Sequence, residues 1–242
     1  CVWFLTSVYF QYINLCLYRW ICYDGTRRTL SIISIFQRGI SFTYSPFFIS
    51  KKWKQMNNFK KYLITDPKYY SNDLTLFKQN LSNILKSKEV DIACFRDKQS
   101  NNFEELASIF VDVCKTFHID KILINTDYKL AHKLNASGVH LNSTQFNMIK
   151  TAKDLGLYTI ISCHTFEDIK KARDLNIDAV TYSPIFETPN KGNPKGIVGL
   201  NDVLKEFPDL KIIALGGIIN NSQIKEISQT SAYGFASIRY FI

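Results

Sequence analysis

Eight short apolar runs, rich in β-branched and aromatic residues, recur along the chain with an amphipathic segment between each consecutive pair. The runs are YLIT (62–65), VDIACF (90–95), KILIN (121–125), GVHLN (138–142), TIISC (159–163), AVTYSPIF (179–186), KIIALGG (211–217) and GFASIRY (234–240). Runs that are apolar throughout read as strands buried on both faces, which is what a parallel sheet covered by helices requires. The intervening segments, among them LTLFKQNLSNILKSK, NFEELASIFVDVCKTF and FEDIKKARDLN, place their apolar residues at helical spacing. The alternation therefore predicts βαβ units. Eight strands joined by helical crossovers close most economically as an α/β (β/α)8 TIM barrel. The last run ends close to Ile242, so the expected barrel lacks its last helix. An open doubly wound sheet is the second architecture considered, but it wants a glycine-rich fingerprint after its first strand. YLITDPKYYSND offers none.

Two regions are expected, 1–55 and 56–242. The formal charge of +9 sits mostly in the first, where 7 Lys+Arg face 1 Asp+Glu, against 23 and 20 in the remainder. The larger region shows no basic stripe with interleaved aromatics, which argues against a nucleic-acid partner. Residues 1–55 lack methionine, follow no helical or alternating period, and are followed directly by Met56. Residues 2–18 are uncharged yet carry Thr, Ser, Gln and Asn and barely reach spanning length. Neither a basic segment nor a small-residue cleavage site marks a signal peptide. The expectation is a leader outside the native fold, produced by a misplaced start, with translation beginning at Met56. For 56–242 no membrane association is expected. Of six cysteines, Cys94, Cys114 and Cys163 lie in the larger region without a CxxC pair, which reads as buried reduced thiols in a cytoplasmic protein.

In a barrel the chemistry gathers at the carboxyl ends of the strands. Polar residues fall there: Arg96 and Lys98 after the second run, Asn125 and Asp127 after the third, His140 and Asn142 in the fourth. Ser162 and His164 follow at the fifth, Thr188 and Lys191 after the sixth, and Gly216-Gly217 after the seventh. Cations on opposite sides of one mouth suit a phosphorylated, anionic ligand. Paired glycines let backbone N–H groups approach such an anion closely. The connection YSPIFETPNKGNPKG is longer than a crossover needs, and loops of that length are usually functional or disordered. As a lid it would carry Thr188 and Lys191 over the mouth.

The ordered set CFRDK, NTDYKLAHKLNASGVHL, SCHTFED, YSPIFETPNKG and ALGGI resembles the thiamine phosphate synthase/TenI family of barrels, over nearly all of residues 60–242. The resemblance implies one of two reactions. The first is TenI-type tautomerisation of a thiazole carboxylate phosphate, and the other joins hydroxymethylpyrimidine diphosphate to a thiazole phosphate with loss of pyrophosphate. Departures from the synthase pattern favour the tautomerase. Cys94 and Phe95 stand where the synthase has Gln-Leu, while Arg96 and Lys98 match. Asn125-Thr126 replaces Asn-Asp, with an acid displaced to Asp127, and Gln145 occupies the place of the second magnesium aspartate. Asn190 replaces the second threonine of the loop, and Arg239 a serine after the last strand. Magnesium normally needs one or two carboxylates beside phosphates.

The expected assignment makes His164 and Lys191 catalytic, His164 moving a proton near neutral pH as imidazole suits. Arg96, Lys98, Asn125, Ser162, Thr188, Gly216 and Gly217 hold substrate or phosphate. Asp127 enters as a metal ligand only in a magnesium-dependent synthase; the tautomerase needs no cofactor. The orientation of His140 is left open between barrel interior and helices, while His118 and His132 are expected on solvated helices. A small phosphorylated thiazole or pyrimidine is the expected partner, a homo-oligomer is compatible with the reading, and a non-catalytic barrel that binds a thiamine precursor is the third alternative. Intact-mass measurement of the native protein is expected to give a chain starting at Met56; a product retaining Trp3 contradicts the misplaced start.

Overall fold

The structure, a computed structural model, describes residues 59–189 and 191–242 in full and residues 3–10, 15–23, 29–37 and 40–43 as strand backbone. Met56, the expected start, and Asn190 of the lid lie outside the described residues. The chain divides into two units, Cys1–Asn58 and Phe59–Ile242. The first holds four antiparallel strands paired in chain order, β1 (Trp3–Phe10), β2 (Leu15–Tyr23), β3 (Thr29–Gln37) and β4 (Ile40–Thr43).

The second unit is the barrel that the alternation predicts. Its strands are β5 (Lys60–Ile64), β6 (Ile92–Phe95), β7 (Lys121–Asn125), β8 (Gly138–Leu141), β9 (Tyr158–Cys163), β10 (Ala179–Tyr182), β11 (Ile212–Leu215) and β12 (Gly234–Ser237). All eight run parallel and close into a ring, β12 pairing with β5. The crossovers are α1 (Pro67–Tyr70) and α2 (Leu74–Ser87), α3 (Phe103–Thr116), α4 (Tyr128–Lys133), α5 (Ile149–Asp154), α6 (Phe166–Asp174), α7 (Gly196–Glu206) and α8 (Asn221–Ser228). Local sequence starts several of them. Thr165 and Asp168 form a reciprocal capping box ahead of α6, as do Asn220 and Gln223 ahead of α8, each satisfying two otherwise orphaned N–H groups.

Side chains alternate along every strand, and the two sets form separate cores. Outward residues such as Leu63, Phe95, Ile124, Val139, Ile161, Val180 and Phe235 pack against the helices. Tyr62, Ile64, Ile92, Cys94, Leu123, Ile160, Ala179, Ile213 and Ala236 fill the ring. At the amino ends Lys60 pairs with Asp91 (3.1 Å) and Asp120 (3.4 Å), and the Lys211 ammonium lies 5.3 Å from the Tyr233 ring centre. That end is filled by side chains, so the cavity opens at the other.

The sequence reading needs four adjustments. The sixth run ends as a strand at Tyr182, where Ser183-Pro184 carries a cis peptide bond, and the eighth ends at Ser237. Helix α7 begins at Gly196, ahead of the LNDVLKEF segment, and His118 lies just beyond α3 with φ 54° rather than on a helix. After β12 the chain turns through a 3-10 segment, Arg239–Phe241, instead of a helix. Phe241 is 1% exposed and stacks on Phe235 at 6.0 Å between centroids, covering the outer face of β12. Burying one phenyl ring stabilises by about 2–3 kcal/mol. Cys94, Cys114 and Cys163 are free and buried, and burial raises the thiol of Cys94 to about 12.

His140 points into the ring. It is 3% exposed, its Nδ1 is 2.8 Å from the Tyr62 hydroxyl, and its Nε2 is 3.1 Å from Ser162 Oγ. Burial, assisted by the positive charge of Arg96, lowers its pKa from 6.5 to about 4. The unfolded chain therefore takes up a proton between pH 6.5 and pH 4 that the native state refuses, and stability falls as pH drops through that window. Denaturant titrations at pH 7 and pH 5 should differ by about 2 kcal/mol more in the wild type than in His140→Asn. Equal differences in the two proteins contradict a buried neutral imidazole.

Candidate active site

At the carboxyl ends of the strands lies a cavity of about 640 Å³, within the usual range for small-ligand sites. Parallel strands in a ring all end at one rim, so side chains distant in sequence meet there. Arg96 and Lys98 follow β6, whereas Lys191 follows β10, four strands away in a ring of eight. They face the same cavity from opposite sides. Asn125, Ser162, His164, Thr188, Gly216 and Gly217 line it too. Asp127 alone among the expected site residues does not.

The local bonds say what each group is free to do. Arg96 is not an isolated cation: its Nη1 donates to Asp66 Oδ2 at 3.0 Å, with both side chains about three-tenths exposed. Its backbone N–H donates to Thr65 Oγ1 at 2.8 Å, fixing the start of the loop. Lys98 and Lys191 line the cavity without an ion pair among the described residues. Asp66 and Lys68, at the start of α1, and Arg239 after β12 also line it. Sequence patterns missed Asp66 and Lys68 because α1 is a four-residue helix too short to show periodicity, though the Asp-Pro pair is a helix-start signal.

His164 precedes the capping residue of α6, and its backbone N–H donates to Asp168 Oδ2 at 2.8 Å. Its Nδ1 lies 3.1 Å from the Ser183 carbonyl oxygen and 3.2 Å from Ser183 Oγ. A carbonyl only accepts, so Nδ1 carries a proton, and in the neutral ring Nε2 keeps a lone pair. A half-buried imidazole held in that tautomer at a cavity wall can take and return a proton.

The lid stands on a fixed base. Ile185 N–H donates to Leu215 O and Phe186 N–H to Gly216 O, while Lys195 and Gly196 N–H groups return to Pro184 O and Ile185 O. These bonds tie the start of the loop to the end of β11 and the two ends of the loop to each other. Gly216 and Gly217 have φ of 98° and 71°. A Cβ on Gly217 would stand 2.5 Å from Glu187 O, and one on Gly216 2.8 Å from Pro184 Cα. Both must be glycine for the lid to seat, a packing reason beside the expected one of anion approach. Thr188 donates its hydroxyl to Phe186 O at 3.0 Å, which stiffens the loop it belongs to.

The residues present do not fit a magnesium ion held by protein carboxylates. Asp127 caps α4, accepting Leu130 N–H at 2.9 Å, and is turned away from the cavity. Gln145 accepts from Asn142 N–H and donates to Thr126 O, and Asn125 donates its amide to His140 O. Asp66 is engaged with Arg96. Among the described residues no group of three or more His, Cys, Asp and Glu could hold a metal ion. Asp127, expected as a ligand only in a magnesium-dependent synthase, stands as a helix cap that does not line the cavity.

The family described as thiamine monophosphate synthase matches residues 61–241. The thiamine-phosphate synthase of Vibrio campbellii is 32% identical, covering 76% of this chain and 90% of its own. That of Limosilactobacillus reuteri is 26% identical over 73% of this chain and 86% of its own. A solved thiamine phosphate pyrophosphorylase from Pyrococcus furiosus superposes with a TM-score of 0.64 over 75% of this chain and 86% of its own, at 20% identity. That likeness concerns the fold. No helix among the described residues is long and apolar enough to cross a membrane. With its barrel, its ordered motifs and a match over residues 61–241, the chain belongs to the thiamine phosphate synthase/TenI family of enzymes.

Proposed function

We propose that the cavity joins hydroxymethylpyrimidine diphosphate to a thiazole phosphate with release of pyrophosphate, the activity after which the relatives are named. The observation that carries this is one mouth of about 640 Å³ with cationic groups on opposite sides, Arg96 and Lys98 facing Lys191. A diphosphate and a monophosphate brought together need cations on both sides of the mouth; a thiazole carboxylate phosphate, with two anionic groups, fits there too, and the names of the relatives favour the joining reaction. Departure of pyrophosphate from the pyrimidine methylene leaves a cationic centre that the thiazole nitrogen attacks. Lys191, without an ion pair among the described residues, meets the charge of the departing diphosphate, and Lys98 across the mouth meets the monophosphate. The Asp66-paired Arg96 orients rather than neutralises. The lid over Gly216-Gly217 excludes water that would otherwise capture the cation. No step is assigned to magnesium, since the donor set does not fit it.

A second reading keeps the tautomerase first expected from the sequence. The missing metal carboxylates favour it, as does the lone pair of His164 Nε2 at the cavity wall. There His164 would lift a proton from the thiazole ring system and return it one atom away.

The two are separated by following phosphorus-containing products by NMR when purified protein meets each substrate set, with magnesium and with chelator. Pyrophosphate release from the pyrimidine and thiazole pair, reduced about 10- to 100-fold by Lys191→Ala, is expected. Isomerisation of the thiazole carboxylate phosphate without pyrophosphate release, abolished by His164→Ala, supports the second reading against the first. Binding without turnover of either set supports the non-catalytic barrel.

A further inference from the structure

The barrel interior holds a buried polar chain of which only Ser162 has been given a role. Tyr62 on β5, His140 on β8, Ser162 on β9 and Thr181 on β10 all face inward, and the first, second and fourth are nearly or wholly without solvent contact. Tyr62 OH and His140 Nδ1 are 2.8 Å apart; His140 Nε2 and Ser162 Oγ are 3.1 Å apart. Thr181 Oγ1 stands 3.4 Å from that nitrogen and 3.5 Å from Ser162 Oγ. Both His140 and Ser162 border the cavity, but His140 is 3% exposed behind Ser162, which keeps partial exposure.

The direction of the protons follows from satisfying the buried phenol. The neighbouring thiol of Cys94 directs its hydrogen at the Phe95 carbonyl, 3.7 Å away. If Nδ1 carried the imidazole proton, the phenolic hydrogen would find only a sulfur atom, a weak acceptor, in a site closed to solvent. The arrangement that pairs every group has Tyr62 donating to Nδ1 and Nε2–H donating to Ser162 Oγ. Ser162 then receives a hydrogen bond from the wall, and Thr181 stands beside it as a further donor. Its own hydroxyl hydrogen is left to point into the cavity.

We propose that His140 is a positioning residue that fixes Ser162 as a hydrogen-bond donor toward an acceptor atom of the bound ligand, a phosphate oxygen or a ring nitrogen. The neutral imidazole acts through Ser162 and does not touch the ligand itself. Burial, which lowers the pKa of His140 to about 4, keeps the same tautomer across the neutral range. The proposal rests on the functional reading only for its kinetic arm.

The structural arm uses nitrogen-15 NMR of the histidine rings in the unliganded protein at pH 7. The expected result is a proton on Nε2 of His140 and none on Nδ1; the opposite tautomer or an imidazolium overturns the proposal, whatever the substrate. The kinetic arm compares His140→Gln, whose amide reaches the place of Nε2, with His140→Asn, whose amide reaches only that of Nδ1. Asn should lower kcat about tenfold more than Gln at similar KM, and should cause no further loss in a Ser162→Ala background. Equal losses in both variants, or an undiminished loss without Ser162, overturn the relay to Ser162. If wild type turns over neither substrate set, the functional reading fails while the tautomer still decides this proposal.

Discussion

Closure of eight parallel strands is the constraint on which the rest depends. A ring of parallel strands has one amino end and one carboxyl end, and only inward side chains can fill it. In this chain the amino end is packed with Tyr158, Tyr233 and the lysines set against them, whose ammonium groups ride over the rings. The carboxyl end is where the inward positions turn polar, at Asn125, His140, Ser162 and Thr181. That change of chemistry along one axis makes a pocket out of what would otherwise be a continuous apolar core. It also explains why Arg96 and Lys191, 95 residues apart in sequence, face each other.

The electrostatics of the mouth are shaped by which charges are already spent. Asp66 binds Arg96, Asp127 begins a helix, and Gln145 bridges two backbone groups. Among the described residues the groups left are cationic or neutral: Lys98, Lys191 and the Nε2 of His164, beside a Ser162 hydroxyl held by His140. Such a surface favours anions, and it leaves an incoming divalent ion to be held by ligand oxygens rather than by protein carboxylates. The two functional readings divide on this point, because loss of pyrophosphate builds negative charge whereas tautomerisation shifts a proton with little change in charge.

Much of the fold was legible because burial on both faces leaves an unbroken apolar run that a half-exposed strand would not show. All eight runs became barrel strands, and nine of the ten expected site residues border the cavity, since carboxyl ends of strands can be read from where each run stops. What escaped has physical reasons. The orientation of His140 depends on strand register, which a run of residues buried on both faces does not reveal. Asp127 entered as the acid displaced from the synthase pattern's Asn-Asp, yet an Asp at that place is also a favoured helix cap. The four-residue α1 is too short to show a period, so Asp66 and Lys68 went unnoticed. The end of β10 was overrun because Ile185, though buried, belongs to the lid base and not to the sheet.

The central claim is that these dispersed residues form one anion-binding mouth. Titration of isotope-labelled protein with inorganic pyrophosphate, followed through its backbone amide signals, tests it most directly. The account predicts that Lys98, Ser162, His164 and Gly217 respond along a single saturating curve while Lys60 and Lys211 at the opposite end stay unmoved. Independent curves for the four, or responses confined to the lysines of the closed end, would contradict it.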